Sequence, residues 1–576
     1  MHRSKSTWWL AISTLAIVTV LVIAPLSGLV ATTLRAENIH HWGDVFNSAL
    51  SENLLWRPLL NSIVLGIGTA LLSTLVGGFL AWVVVMTNIP GRKAIGFLAM
   101  IPFALPSFAL ALAWESTFRN NLIGGSQGLI ANLGIAVPDW LAWGPFPIVL
   151  TLTAHYYSLS YMLIAAALAN VKGDLLDAAN LTGASPFRVA RSIALPIVTP
   201  AVLSGALLAF AEGVSNFVTP AILGLPVRYN TLSTRLYGAI STGDINRGYI
   251  LSIVLIVVSA AILFASTRAT TGRRNFDTIT GKGARSHVVQ LGVWSVPIGG
   301  LAWLIVVATT IIPGLILFLS TLARHTNSLE GGLTWHYWIG ESDPAFSQGM
   351  PGVFNNPQIV RATTNTLLLG LAVAIGATIL GLAIAYVLTR FKPESRVGRV
   401  INTALNFFSF VPFLIPGIAF GAAYIAQFGI SFGPIPSLYG TVWILILAGI
   451  AATLPFAVRT GVSAMSQIST DIEESAFMTG ASLRQRMGSI IVPLTSRGLF
   501  TGAVLVFVQT VRDLSLVVLL VTPAFPLLAV LTFQYSSENF TQLANAITVI
   551  IAAVSVVVNL LATHLENSAS KWAQRN

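Results

Sequence analysis

The chain has 576 residues, of which 55% are hydrophobic and only 9% are charged, and its mean hydropathy is +0.79. Soluble domains carry about a quarter charged residues, so this composition excludes a soluble globular protein and indicates a polytopic membrane protein. The absence of cysteine excludes disulfides and thiolate metal sites. The net charge of +11 raises the question of a nucleic-acid partner.

Apolar runs of about 20 residues, the length that crosses a hydrocarbon core, recur about twelve times along the chain. The first run follows Arg3 and Lys5 as a signal peptide would, but its roughly 27 residues exceed a signal core of 7–15 residues, so we expect a retained helix. The predicted spans lie near 8–34, 58–86, 95–117, 146–169, 197–222, 249–267, 290–322, 362–389, 400–428, 437–458, 492–521 and 543–563. They predict an all-α protein.

With the N-terminus inside, twelve spans put every lysine on the cytoplasmic side. This is the positive-inside bias of membrane proteins, and it explains the net charge with a lipid bilayer as partner and no nucleic acid. Both termini are therefore predicted to be cytoplasmic. The predicted outer loops, the longest near 323–361, are too short to form a separate binding domain.

The sequence repeats itself in two halves. RPLLNSIVLG, ending at Gly66, resembles RATTNTLLLG, ending at Gly370. We therefore predict two parallel six-helix halves, 1–267 and 290–576, joined by a cytoplasmic linker at 268–289. Parallel repeats about an axis along the membrane normal are a known transporter architecture.

Proline pairs occupy the third and ninth predicted spans, at Pro102/Pro106 and at Pro412/Pro416. Proline removes a helical hydrogen bond and bends a helix unless neighbours compensate. These spans are therefore predicted to line a pathway or to act as hinges. The alternative is that prolines are simply common in membrane helices.

A polar stretch follows the fourth predicted span and returns after the tenth. DAANLTGASPFRVARSIALP, 177–196, aligns without a gap with ESAFMTGASLRQRMGSIIVP, 474–493. Glycine ends a helix without strain and serine caps the next one, so each copy is predicted to be a helix, a glycine elbow and a helix on the cytoplasmic side. The residues that define the pattern are Asp177, Ala178, Ala179, Gly183, Ser185 and Pro196 in the first copy and Glu474, Ala476, Gly480, Ser482 and Pro493 in the second.

Polar residues also lie inside two spans, where each ionisable group costs about 2.5–3.5 kcal/mol unless it is paired or solvated. In the fifth span Glu212, Ser215, Asn216 and Thr219 share one helical face, in the outer half of the membrane. The repeat-related face of the eleventh span carries Gln509, Arg512 and Asp513. Two hypotheses remain open: an outer gate or transient substrate site, and an ion pair such as Glu212 with Arg512 that fixes helix packing.

No catalytic constellation occurs in the sequence. Gly281-Lys282 lacks the glycine pattern of a phosphate-binding loop, so the chain is not predicted to hydrolyse ATP. His40-His41 is interpreted as polar surface, and no metal site is predicted. The chain is therefore not predicted to be an enzyme.

The two elbow stretches resemble the "EAA" loop of bacterial ABC-type importer permeases, with the pattern E-A-A, three residues, Gly, nine residues, I-x-L-P. The departures are Asp177 for glutamate in the first copy and Ser475 and Val492 in the second. The resemblance implies a type I ABC importer membrane-domain fold in the bacterial cytoplasmic (inner) membrane. It also implies that each loop forms a coupling helix in a cleft of a cytosolic ATPase.

The same resemblance implies the partners. Two cytosolic ABC ATPase subunits would bind the ATP and magnesium, so no cofactor is expected in this chain, and a periplasmic or extracellular solute-binding protein would deliver the solute. Asp177 and Glu474 would contact basic groups of the ATPases, and Gly183 and Gly480 would set the elbow angle.

The chain is similar to fused two-loop permeases of the ferric-iron, thiamine and aminoethylphosphonate importer group. Ferric iron, the commonest assignment in that group, is the expected cargo, and 2-aminoethylphosphonate, thiamine and polyamine remain open. An ion-coupled secondary transporter is the alternative from another class. It would share the repeat but would not need duplicated elbows.

Overall fold

The computed structural model describes residues 5–171, 192, 195–271, 289–431 and 436–573. Within these ranges eleven helices are long and apolar enough to cross a membrane, or up to twelve if a bent pair counts as one span. This confirms the predicted all-α membrane architecture. In chain order the segments are α1 Ser6–Thr33, α2 Arg57–Met86, α3a Arg92–Ala104, α3b Ser107–Phe118, α4 Pro145–Ala169, α5 Leu195–Ser215, α6 Ile245–Thr271, α7 Gly292–Leu322, α8 Pro357–Arg390, α9a Arg396–Phe410, α9b Gly417–Phe428, α10 Val442–Ser466, α11 Val492–Arg512 and α12 Thr541–Ala573.

Shorter elements connect these segments. The short helices are His40–Asn47, Leu129–Asn132, Asp139–Ala142, Val218–Leu223, Leu232–Ser241, His336–Ile339, Thr470–Met478, Leu483–Arg486 and Leu528–Ser537. After α7, β1 Ala323–His325 and β2 Ser328–Leu333 form an antiparallel hairpin, which is the only sheet in the described ranges.

The proline pairs break two spans that were predicted as continuous. Pro106 is extended between α3a and α3b, whose axes differ by 96°. In the second half a 3-10 turn at Val411–Leu414 and the residue Pro416 separate α9a from α9b. Bending at the proline pairs is therefore confirmed, and neither 95–117 nor 400–428 is a single straight helix.

The fifth and eleventh spans are shorter than predicted. They were expected to reach residues 222 and 521, but α5 ends at Ser215 and α11 at Arg512. The next residue in each half turns its side chain to the backbone: the Asn216 Oδ1 accepts the Thr219 N–H at 3.0 Å, and the Asp513 Oδ1 accepts the Leu516 N–H at 3.2 Å. Asparagine and aspartate favour such turns over helix continuation, and apolar patterning alone does not reveal the switch.

Hydrogen bonds confirm the repeat at matching positions. The Asn61 side chain donates to the Asn230 carbonyl at 2.8 Å, and the Asn365 side chain donates to the Pro526 carbonyl at 3.0 Å. One residue further, the Ser62 and Thr366 hydroxyls accept backbone N–H groups of the corresponding short helices, Leu232–Ser241 and Leu528–Ser537, at 2.9 and 3.0 Å. The two halves therefore share their backbone architecture. The predicted domain boundaries stay predictions.

The first helix of each half packs on the other half. α1 lies against α8 and α9, and α7 lies against α2 and α3. The Tyr424 hydroxyl of α9b donates to the Leu21 carbonyl of α1 at 2.7 Å, and the Tyr157 hydroxyl of α4 lies 3.0 Å from that of Thr309 in α7. Within each half, α2, α4 and α5 form a packed group that matches α8, α10 and α11. Each half therefore contributes its first helix to the packing of the other half.

Candidate coupling elbow and interhelical polar cluster

The second elbow has the predicted helix–glycine–helix geometry. The helix Thr470–Met478 is followed by Gly480, whose φ is +88°, a backbone conformation that glycine adopts without strain. Ser482 is the N-cap of the next helix, Leu483–Arg486, and the Gln485 Oε1 accepts a hydrogen bond from the Ser482 N–H at 2.8 Å. A π turn leads from there into α11. The sequence pattern therefore placed both the break and the cap.

The first elbow falls mostly outside the described residues. Asp177, Ala178, Ala179, Gly183 and Ser185 lie in the undescribed segment 172–191, so their predicted roles stay predictions. Pro196 is the second residue of α5 and is exposed. Its counterpart Pro493 is the second residue of α11 and is also exposed, so the two copies enter their membrane helices alike.

Most side chains of the helix Thr470–Met478 are exposed. Glu474 is exposed, as predicted for a residue that contacts a partner, and Ala476 is half-buried. Two large apolar side chains of the same helix are also exposed, Ile472 at 48% and Met478 at 83%. An acidic group beside exposed apolar side chains is a surface suited to docking in a protein cleft.

Glu473, one residue earlier, is buried at 3% exposure and was missed by the sequence reasoning. Its carboxylate accepts Arg486 Nη1 at 2.9 Å, lies 3.2 Å from Arg390 Nε, and accepts the Tyr386 hydroxyl. Arg390 also donates to the Ile468 carbonyl at 2.8 Å. These groups tie both arms of the elbow to the end of α8. We call Glu473, Arg486, Arg390 and Tyr386 the elbow clamp.

The repeat gives the signal that could have found the clamp. When the two halves are aligned, the first-half residues at the positions of the clamp residues are uncharged. They are Leu176, Val189, Met86 and Trp82. A charge that appears in only one copy of a repeat needs its own partner. The sequence did not show which of the adjacent Glu473 and Glu474 is buried, because burial depends on the tertiary structure.

A second group of polar side chains joins the two halves. Arg512, at the end of α11, donates to the Phe103 carbonyl and to Gln509 Oε1, the latter at 2.6 Å, and its guanidinium lies 4.9 Å from the centre of the Phe103 ring. Phe103 is the penultimate residue of α3a, where helical carbonyls have no intrahelical partner. A cation at a helix C-terminus is also favoured by the helix dipole. Arg512 therefore caps the broken helix of the opposite half.

Contrary to expectation, the remaining predicted residues do not share one helical face in each half. Asn216 donates to the Tyr156 hydroxyl of α4 at 3.1 Å. Because α5 ends before Asn216, Thr219 does not share a helical face with Glu212, and that prediction is wrong. Asp513 likewise lies beyond α11 and faces its own backbone.

The proposed pair of Glu212 with Arg512 is not formed. Among the described residues no ion pair within 4.0 Å joins them. Arg512 instead reaches the Phe103 carbonyl of α3a. The sequence did not identify Phe103 or Tyr156, and the aromatic run at residues 155–157 of the fourth span was the available signal.

A match to a family of known proteins covers both sites. The model of the family described as "binding-protein-dependent transport system inner membrane component" matches residues 73–271 and again 377–571. The chain belongs to this family. Each matched range contains one elbow stretch and one of the two polar spans. Members of the family are membrane components of transporters, and this chain is accordingly a fused, two-copy ABC permease rather than an enzyme.

Curated relatives of this family member include three informative proteins. A putative ferric transport system permease protein FbpB 1 of Haemophilus influenzae is 24% identical over 82% of this chain and 71% of its own length. A probable ABC transporter permease protein y4fN of Sinorhizobium fredii is 23% identical over 85% of this chain and 84% of its own. A putative 2-aminoethylphosphonate transport system permease protein PhnU of Salmonella typhimurium is 25% identical over 46% of this chain and 93% of its own.

One group of potential metal ligands occurs in the part of this permease that the structure describes. The ligand atoms of His40, His41 and Asp44 lie within 4.8 Å of one another. Asp44 is already held by Arg247 at 3.0 Å and by His41 at 3.2 Å, and chiefly the Arg247 hydrogen bond lowers the pKa of Asp44. A guanidinium on the same carboxylate repels a metal cation, so the group is better described as an ion-pair cluster.

Proposed function

We propose that this chain is a fused membrane domain of an ATP-driven, binding-protein-dependent importer in a bacterial inner membrane, with both termini cytoplasmic. One observation carries the proposal: the exposed face of the second elbow, with Glu474 and Met478, stands directly on the buried clamp that reaches α8. A force applied to that face is transmitted to a membrane helix through Glu473 and Arg390.

We infer a transport cycle from the elbow and from the contact of Arg512 with α3a. Two cytosolic ATPase subunits, which bind the ATP and magnesium, engage one elbow each, and Glu474 and Asp177 meet basic groups on them. Closure of the ATPases displaces the elbows and hence α8 and α11. Because Arg512 bridges α11 to α3a of the opposite half, relative movement of the halves must break or shift this contact. The Arg512 bridge is therefore proposed as the gate between the two access states.

Ferric iron is the proposed cargo, delivered by a periplasmic or extracellular solute-binding protein. Its support is the relative of Haemophilus influenzae at 24% identity, a putative ferric transport system permease protein. The half-chain relative PhnU supports 2-aminoethylphosphonate as the alternative. Thiamine and polyamine are the further candidates. The acidic groups near the gate, Glu212 and Asp513, suit a cation, and Arg512 suits an anion.

The test is ATP hydrolysis in proteoliposomes that contain the chain and its partner ATPase. Binding proteins loaded with ferric iron, 2-aminoethylphosphonate, thiamine or spermidine are added in turn. We expect stimulation by the ferric-loaded protein and loss of that stimulation in Gly480→Leu. Stimulation by another loaded protein would replace the cargo and keep the mechanism. Uptake that persists without any ATPase and follows an ion gradient would replace the importer with a secondary transporter.

A further inference from the structure

A polar cavity lies in the second half at the elbow end of the membrane helices. Its volume is about 320 Å³, it is lined by the end of α8, by α9a and by α10, and it is open on one side, where Arg459 is exposed. This volume is at the lower end of the range for small-molecule pockets, roughly 300–1,000 Å³. The polar side chains that line it are Thr389, Asn402, Thr403, Asn406, Ser409 and Arg459.

Arg459 is the only charged residue that lines this cavity. It lies seven residues before the end of α10, about 10 Å along the helix at 1.5 Å per residue, and so within a membrane-spanning segment. Its guanidinium stacks over the Phe410 ring at 5.2 Å, and no carboxylate among the described residues lies within 4.0 Å of it. A cation at this depth needs solvation or an anionic partner, and an ionisable residue inside a span marks a functional site by default.

The other lining groups are arranged to bind a polar ligand. The Asn402 Oδ1 is buried and accepts no hydrogen bond, although its amide donates to the Phe391 carbonyl at 3.4 Å. Thr403 and Asn406 are exposed to the cavity side of α9a and offer further donors. No aspartate or glutamate lines the cavity, so its donors outnumber its acceptors and it does not resemble a site for a metal cation.

At the equivalent place in the described part of the first half, α4 and α3a contact each other directly. There Ser158 of α4 donates to the Ala99 carbonyl of α3a at 2.8 Å. The equivalent of Ser158 is Pro455, which has no hydroxyl and lines the cavity instead. The equivalent of Arg459 is Met162. Two of the residues that line the cavity therefore lie at positions where the two copies differ.

We propose that this cavity is a binding site for a small phosphoryl oxyanion, held by the guanidinium of Arg459, with the free oxygen of Asn402 accepting a hydrogen bond from an ammonium group of the same ligand. A planar guanidinium pairs with phosphonate or phosphate oxygens through two parallel hydrogen bonds. The site rests on Arg459 and Asn402 and not on the elbow or the Arg512 bridge. Because 2-aminoethylphosphonate is also the alternative cargo, its binding is measured on the chain without ATPase or binding protein, separately from the transport test.

Two sources supply this chemistry, a soluble aminoalkylphosphonate and the headgroup of phosphatidylethanolamine. A groove beside the cavity makes a lipid a second candidate. It shares Thr403 with the cavity and is lined by Arg396 and Arg399. The exposed side chains of Val400 and Phe407 lie next to these arginines. Arginines beside apolar surface at the end of a membrane helix form headgroup sites. The experiment therefore has one arm for each source.

In the first arm the purified chain is placed in phosphatidylcholine nanodiscs and titrated calorimetrically with 2-aminoethylphosphonate, ethylphosphonate or ethanolamine. We expect 2-aminoethylphosphonate to bind best, ethylphosphonate more weakly and ethanolamine not at all. Arg459→Met, which installs the first-half residue, should weaken binding at least tenfold, and Arg459→Lys should retain part of it. Arg497→Met is the matched control, because Arg497 is an exposed arginine outside the cavity.

In the second arm phosphatidylethanolamine replaces part of the phosphatidylcholine, and native mass spectrometry counts the retained lipid. Lipid retained by the wild type but not by Arg459→Met identifies a headgroup as the ligand. Solute binding without retained lipid identifies a soluble ligand, and both results support the site. Equal binding by the wild type and Arg459→Met in both arms, or no binding of either probe class by the wild type, would overturn it.

Discussion

Replacing Glu473 by glutamine should detach the second elbow from α8. Glu473 and Arg486 are 3% and 4% exposed, and their atoms are 2.9 Å apart. Removing one charge of a buried pair costs about 3–5 kcal/mol, because the other charge is left uncompensated. Glutamine keeps the shape and one acceptor, so we take the lower end, about 3 kcal/mol, which changes the docked-to-undocked ratio roughly 100-fold.

Hydrogen exchange and coupled transport together measure this effect. Amide exchange in 470–486 should accelerate in Glu473→Gln, and the ratio of solute transported to ATP hydrolysed should fall while the ATPase still binds. Glu474→Gln is the matched control, because that side chain is exposed on the same helix. It should leave elbow exchange unchanged and weaken ATPase binding.

A second variant separates the clamp from a general folding defect. Glu473→Leu with Arg486→Val installs the first-half residues, and apolar replacement of a buried ion pair is often neutral or stabilising. Arg390 keeps its bond to the Ile468 carbonyl in this variant. Exchange in 470–486 should therefore be slower than in Glu473→Gln. Wild-type exchange and wild-type coupling in Glu473→Gln would refute the reasoning.

Three further predictions address the elbow angle, the gate and the ion-pair cluster. Gly480→Ala should cost about 1–2 kcal/mol of elbow stability because its φ is +88°, whereas Gly488→Ala, equally free of neighbouring atoms, should cost almost nothing in the same exchange assay. Arg512→Gln should lose a charged hydrogen bond worth about 1.5–3 kcal/mol and raise ATP hydrolysis in the absence of binding protein, while Arg512→Lys should fall between it and the wild type. Asp44→Asn should lower the unfolding temperature at pH 7. Because chiefly Arg247 lowers the pKa of Asp44, this stabilisation is present above the unfolded pKa of about 3.9 and is lost as pH falls through the folded one, so the variant and wild type should converge in acid.

Features set by local pattern could be predicted from the sequence. Apolar length placed the membrane segments, and the repeat predicted the second elbow because Gly480 and Ser482 act through their own backbone. The proline pairs predicted the bends for the same reason. Each of these depends on residues within one or two turns of the chain.

Features set by distant contacts could not be predicted. The ends of α5 and α11 depend on whether Asn216 and Asp513 turn to the backbone, which competes with helix continuation by a small margin. The partner of Arg512 is a backbone carbonyl 409 residues away, and no side-chain pattern marks a carbonyl that a bend has left unpaired. The burial of Glu473 rather than Glu474 depends on the approach of α8.

The two halves thus share backbone contacts and differ in where charge is buried. The matching hydrogen bonds of Asn61 and Asn365 stabilise the same backbone arrangement in both halves. The elbow clamp, Arg459 and Arg512, however, all lie in the second half. Arg512 stands where the first half has Ser215, and no clamp residue has a charged counterpart. The buried ion pairs of the clamp tie the second elbow to α8, and Arg512 ties α11 to α3a of the other half. We therefore expect a displacement of the second elbow to reach both halves of the membrane domain.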